Sequence, residues 1–164
     1  MDGAAAKAKD PLSNVRYRAP DLADAAIDYG LLPELVGFSV KLVWLLGHGV
    51  LSRELGEPVT PHRFSVLEVV GRNPGLQQTQ LADALALSRP ATTLAINFWE
   101  ERGCVERRDV PDDRRSFGIH ATDHGEQELA RLRVAVQHAD QALTSGLTAK
   151  ERQELHRLLH KIHR

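Results

Sequence analysis

Between residues 33 and 55 the apolar side chains Leu35, Val36, Phe38, Val40, Leu42, Val43, Trp44, Leu45, Leu46, Val50 and Leu51 fall on every side of a helical wheel. A helix that is apolar all round must be buried all round. The remaining elements of so short a chain cover only part of it, so a second copy of the chain is the expected cover. Gly47 and Gly49 lower the helix propensity of this segment and mark a close backbone approach or a kink.

On either side the patterning is amphipathic. Met1 to Ser13 is an aperiodic arm, and Leu22, Ala25, Ala26 and Tyr29, following Pro20 and Asp21, predict a short helix ended by Gly30. After the turn Gly56-Glu57-Pro58, Thr60 and Pro61 supply a cap and a first-turn proline for a helix to about Gly71, with Phe64, Leu67 and Val70 inward. Arg72-Asn73-Pro74-Gly75 is a turn signal. A short helix over Thr79 to Leu85 buries Leu81, Ala82 and Leu85, and Ser88 with Pro90 opens the next helix, which ends at Gly103. The period then changes. Cys104 to Asp109, the turn at Val110 to Asp113, and the alternation of Phe117, Ile119 and Ala121 with polar neighbours predict a β-hairpin. Two helices close the chain. The first carries Leu129, Leu132, Val136 and Leu143; the second opens on the capping box Thr148-x-x-Glu151 and buries Leu155, Leu158, Leu159 and Ile162.

At 164 residues the chain is about one domain. The 21 Lys and Arg against 22 Asp and Glu give a net charge of −1, so any anion-binding surface must be local. A composition of 42% hydrophobic and 26% charged residues excludes wholesale disorder. Cys104, the single cysteine, has no partner for an internal disulfide, and Met1 to Asp10 lack the apolar core of a secretory signal. The uncharged run Leu42 to Ser52 is far shorter than the roughly 20 residues that span a bilayer. The expectation is a soluble cytoplasmic, nucleoid-associated protein with no membrane partner.

Two short helices joined by a tight turn and followed by a hairpin with an arginine-bearing tip describe a winged helix-turn-helix. The helix opened by Ser88 would enter the major groove by its N-terminal end, where free N–H groups and side chains meet phosphates and base edges. On its wheel Ala95, Ile96 and Trp99 point inward, whereas Arg89, Thr93 and Asn97 point out at spacings of four. Arginine suits guanine, asparagine suits adenine, and threonine suits phosphate or a thymine methyl. With Gln78, Thr79, Pro90 and Thr92 they form the candidate DNA-contacting set on the two helices. The hairpin balances Arg107, Arg108, Arg114 and Arg115 against Glu106, Asp109, Asp112 and Asp113. Geometry must therefore do what net charge does not: Asp113 can hold the Arg115 guanidinium by a bidentate pair and stiffen it for a narrow minor groove.

The chain resembles the MarR (multiple-antibiotic-resistance regulator) family of bacterial transcription factors. The resemblance is carried by Leu81-Ala82-Asp83-Ala84-Leu85, by Leu87-Ser88-Arg89-Pro90, by Glu101-Arg102-Gly103-Cys104-Val105-Glu106-Arg107-Arg108, and by Asp113-Arg114-Arg115 with Thr122 and Gly125 downstream. It covers roughly Leu31 onward and implies a mainly α fold with a small β-hairpin, a winged helix-turn-helix core flanked by N- and C-terminal dimerisation helices. The implied division is an arm and short helix at 1–30, a dimerisation helix at 31–56, the DNA-binding region at 57–122 and dimerisation helices at 123–164. The resemblance further implies a homodimer on a pseudo-palindromic operator, Arg115 as minor-groove reader, and repression relieved by a small phenolic or aromatic acid, or its coenzyme A thioester.

Candidates for holding such an effector are Trp44 and His48, four apart, His62 and Phe64 near the start of the following helix, and Arg16 and Tyr17 in the N-terminal extension. Plain core is the competing reading for Trp44 and Phe64. Leu94 and Phe98, an i, i+4 apolar pair, are expected to pack on the wing or a neighbouring helix, the other reading being contact with thymine methyl groups. Cys104 reads as a small buried hydrophobe rather than a redox sensor. His156, His160 and His163 share a helical face but lack an accompanying carboxylate or cysteine cluster, and His120 and His124 are separated by a strand-to-helix junction. No metal or cofactor is expected. No nucleophile with a base, phosphate loop or His-Glu-x-x-His motif occurs, so catalysis is not expected. The alternatives are a redox- or metal-responsive regulator of the same fold, and a winged-helix module that binds protein instead of DNA.

Overall fold

The computed structural model describes residues 26–110 and 113–162, and for Val110 and residues 113–116 the backbone only. The described residues comprise a 3-10 turn at Leu32–Glu34, helices α1 (Val36–Leu55), α2 (Pro61–Arg72), α3 (Gln78–Ala84) and α4 (Arg89–Glu100), strands β1 (Val105–Val110) and β2 (Asp113–Ala121), and helices α5 (Asp123–Leu143) and α6 (Ala149–Ile162). The helix expected before Gly30 lies almost wholly outside them. Among the described residues Leu55–Val136 form one compact unit, and 26–54 with 137–162 form the other.

The first unit holds α1, the end of α5, and α6. Pro33 lies in the 3-10 turn, so α1 begins three residues later than its hydrophobic run. Gly47 is a close approach: a Cβ there would stand 3.1 Å from Leu143 Cδ2. Val50 is fully buried, yet Val36, Val40, Val43 and Trp44 are 46–68% exposed. The expectation that Leu155, Leu158, Leu159 and Ile162 are buried is not met within one chain. All four are exposed on α6, which buries none of its residues, because no described element of the same chain covers that face. The expected capping box is present, with Thr148 N donating to Glu151 Oε2 at 2.8 Å and Glu151 N to Thr148 Oγ1 at 3.3 Å.

The second unit contains most of the described core. Val66, Leu67 and Val70 of α2, Leu81 of α3, Ile96 and Trp99 of α4, Ile119 of β2 and Leu129 and Leu132 of α5 are each at most 1% exposed. Phe64, expected inward, is only half-buried; Val66 takes the inward place. The predicted caps form: Thr60 Oγ1 accepts from Arg63 N, and Ser88 Oγ accepts from Ala91 N. The antiparallel hairpin pairs Val105 with Ala121 and Arg107 with Ile119, and a register shift falls between Asp109 and Val110. A third edge comes from the loop before α3, where Gly75 N donates to Ile119 O and Ile119 N to Leu76 O, both at 2.9 Å. Gly75 at φ +89° makes that loop possible, and Gly118 leaves it room, since a Cβ there would stand 3.0 Å from the Gly75 backbone.

Candidate nucleic-acid interface

Helices α3 and α4 are joined by Leu85-Ala86-Leu87-Ser88, with Ala86 in the left-handed region at φ +50°. Leu87 N closes the turn onto Ala82 O at 2.9 Å. Trp99 anchors α4 from beneath: its ring is buried and its Nε1 donates to Arg63 O on α2 at 2.7 Å. With this face fixed, the outward face of α4 is fixed too. Helix α4 stops at Glu100, short of Arg102, because Gly103 at φ +66° turns the chain back and Cys104 N donates to Trp99 O at 2.9 Å.

Of the predicted contact residues, Arg89, Pro90 and Thr79 are exposed, and Thr93, Asn97 and Gln78 are half-buried. Gln78 Nε2 donates to Thr93 Oγ1 at 2.6 Å, and Thr93 Oγ1 donates to Arg89 O at 2.9 Å, so these residues orient one another. Thr92 is a correction. It is wholly buried and its hydroxyl donates to Ser88 O at 3.1 Å, which makes it a packing residue inside the helix-turn-helix. The Leu94–Phe98 pair separates. Phe98 packs as expected, with the Arg63 and Arg102 guanidinium carbons 3.7 and 3.6 Å from its ring centroid, whereas Leu94 is 68% exposed and does not pack.

Arg107 of β1 carries a connection that spacing does not reveal. Its Nη2 donates to Asn97 Oδ1 at 2.7 Å and its Nη1 pairs with Glu100 Oε2, tying the wing to the C-terminal turn of α4. A charge pair seven residues apart across a helix-to-strand junction follows no helical or strand period, so only the fold brings it together. Arg108 pairs with Glu106 at 2.5 Å. Asp113, Arg114 and Arg115 open β2, and the expected Asp113–Arg115 pair falls on side chains outside the described ones.

The base of the wing is equally constrained. Thr122 Oγ1 donates to Gly103 O at 2.6 Å and accepts from Gly125 N at 3.0 Å, and Thr122 N donates to Cys104 O at 3.0 Å. Cys104 is buried as expected; desolvation, aided by the Glu128 carboxylate and opposed by Arg102, pushes its thiol pKa up, away from the reactive thiolate. Glu68 of α2 accepts from Arg133 of α5 through both oxygens, at 2.8 and 3.1 Å. Those bonds hold its carboxyl below the ordinary value despite opposing desolvation, and Arg72 adds to the effect.

The effector candidates are distributed. Trp44 and His48 meet on α1 with ring centroids 5.3 Å apart, Trp44 being 61% exposed. Exposed His62 and half-buried Phe64 lie on α2 in the other unit. Arg16 and Tyr17 are outside the described residues, as is His163. A shallow cleft of about 380 Å³ is lined by His156, Arg157, His160 and Lys161 of α6 and includes none of these candidates. Among the described residues no group of three or more metal-ligating side chains occurs, and no helix is long and apolar enough to cross a membrane.

A helix-turn-helix with an antiparallel wing fastened to its second helix defines a winged-helix DNA-binding protein. The MarR family model matches residues 58–116, the region from α2 into the wing. A putative transcriptional regulatory protein for the hcr operon of Thauera aromatica is 39% identical over 146 residues, 88% of this chain and 87% of that one. The chain belongs to the MarR family and is a transcriptional regulator. Among solved structures, the transcriptional repressor CouR bound to a 23-mer DNA duplex superposes with a TM-score of 0.78 at 33% identity, covering 84% of this chain and 99% of that one. A Mycobacterium tuberculosis MarR family protein, Rv2887, in complex with salicylic acid gives a TM-score of 0.66 at 25% identity, covering 78% and 96%.

Proposed function

We propose that two copies of this chain form a dimer that represses transcription from a pseudo-palindromic operator and lets go when a small aromatic acid, or its coenzyme A thioester, binds. The observation that carries the dimer is α6. Its apolar residues Leu155, Leu158, Leu159 and Ile162 are all exposed in one chain, as are Val36, Val40, Val43 and Trp44 of α1. Burying surfaces of this kind against a symmetry-related copy removes them from water. On DNA, α4 enters the major groove with Arg89, Pro90, Thr93 and Asn97, Gln78 and Thr79 approach from α3, and Arg114 and Arg115, with Asp113 as buttress, reach the minor groove. Repression is supported by the likeness to DNA-bound CouR. An aromatic carboxylate effector is supported by the salicylate complex of the mycobacterial relative and by the exposed Trp44 beside His48. Arg16, Tyr17, His62 and Phe64 are the further candidates for that site.

The switch works on spacing. Symmetric recognition helices meet successive major grooves about 34–36 Å apart, so an effector that favours another separation weakens binding by its preference between the two states. A coupling of about 1–3 kcal/mol lowers DNA affinity roughly five- to 150-fold. Selection from random duplexes, followed by displacement of the winner with aromatic acids and their thioesters, tests the proposal. An inverted-repeat winner released by one of these compounds is the expected result. Failure to select any sequence at low ionic strength contradicts DNA binding, and a winner that no compound releases contradicts the effector.

A further inference from the structure

On α4 the exposed residues are Arg89, Pro90 and Leu94. Leu94, 68% exposed, is the one large apolar side chain among them, and the polar groups around it are engaged. Thr93 donates its hydroxyl proton to Arg89 O and accepts from Gln78; Asn97 Oδ1 is taken by Arg107; Glu100 is paired with the same guanidinium. Pro90, one turn earlier, extends the apolar surface along the same edge of the helix. An isobutyl group left bare at the centre of a helix whose polar neighbours are tied down contributes to recognition only through apolar contact.

B-DNA offers one apolar feature on the floor of its major groove, the 5-methyl group of thymine; cytosine, guanine and adenine show only donors and acceptors there. We infer that Leu94 reads a thymine in each half-site by packing on its 5-methyl group, so that one specificity-determining position is read without a hydrogen bond. The inference rests on the proposed placement of α4 in the major groove. It assigns to Leu94 a role distinct from that of Arg89, whose guanidinium suits hydrogen-bonding base edges.

The test replaces single thymines by uracil in the selected duplex, which removes the methyl group and leaves every base-pair hydrogen bond intact. Burial of one methyl-sized group corresponds to about a fourfold change in affinity. One thymine per half-site is expected to show a loss of about that size with the natural protein and none with Leu94→Ala. Leu94→Ala is expected to keep the salt dependence of binding, because no charge is removed. Since Leu94 is exposed and alanine favours helix, the variant is expected to melt no lower than the parent. In a second variant, Leu94→Gln, the amide is expected to move the preference at that position toward adenine. If uracil has no effect anywhere, or acts equally on the parent and on Leu94→Ala, the inference is overturned while DNA binding stands. If no duplex is selected at all, the major-groove reading fails and the inference fails with it.

Discussion

Gly125→Ala tests the joint between the wing and α5 by the sign of its effect. Within a helix, glycine to alanine ordinarily stabilises by up to about 1 kcal/mol. Here a Cβ would stand 1.9 Å from Cys104 O and 2.8 Å from its carbonyl carbon. That carbonyl is not free to retreat: it accepts from Thr122 N, and Cys104 N is bonded to Trp99 O. Relief requires a shift of about 1 Å in the backbone entering β1. Overpacking of this kind costs about 1–3 kcal/mol, and loss of the Thr122 to Cys104 bond adds about 1 kcal/mol. Set against the propensity gain, the net destabilisation is about 2 kcal/mol. In urea titrations at fixed protomer concentration, with a slope of about 2 kcal/mol per molar, the midpoint is expected to fall by about 1 M. An unchanged or higher midpoint would refute the close approach of α5 to the root of the wing.

Arg107→Ala and Asn97→Ala each remove one side of the 2.7 Å bond between wing and recognition helix, so the double variant is expected to bind operator little worse than Arg107→Ala alone; additive losses in a binding titration would show that the two residues act separately. Arg115→Ala is expected to weaken binding to all sequences and reduce the slope of log K against log salt by about 0.9, and an unchanged slope would remove it from the phosphate- and groove-contacting set. Glu68→Gln is expected to cost about 0.5 kcal/mol at neutral pH, the half-exposed pair with Arg133 being discounted for solvent screening. Because the Glu68 pKa is lowered on folding, its contribution is complete above the ordinary value of 4.5 and is lost as pH falls through the lowered one, so the parent and variant stabilities should converge in acid.

What could be read from the residue pattern follows from the range of the forces involved. Caps at Thr60, Ser88 and Thr148 are local devices, and each forms where the sequence places it. The change of period after Gly103 likewise locates the hairpin, and the inward Ala95, Ile96 and Trp99 of α4 are buried as their spacing requires. Thr92 stands three, four and seven residues before Ala95, Ile96 and Trp99, inside the buried face of the wheel, and the polar residue type rather than the spacing is what points to DNA contact; Thr93 lies outside that face, where Gln78 meets it. Leu94 and Phe98 share a stripe, yet two arginines from outside the helix, Arg63 and Arg102, cover only the second. The Arg107 clamp depends on a junction of helix and strand, beyond the reach of either period. Apolar faces on α1 and α6 are plain in the sequence, but among the described residues these side chains stay exposed, so the pattern reveals an apolar face without revealing what covers it.

In the proposed assembly, paired chains joined through those faces present two winged helices to one duplex. Sedimentation equilibrium of the protein with its selected duplex measures this directly. Two chains per duplex are expected, with the free protein also sedimenting at twice the chain mass at micromolar concentration. A complex containing a single chain, or no complex at low ionic strength, would contradict the account.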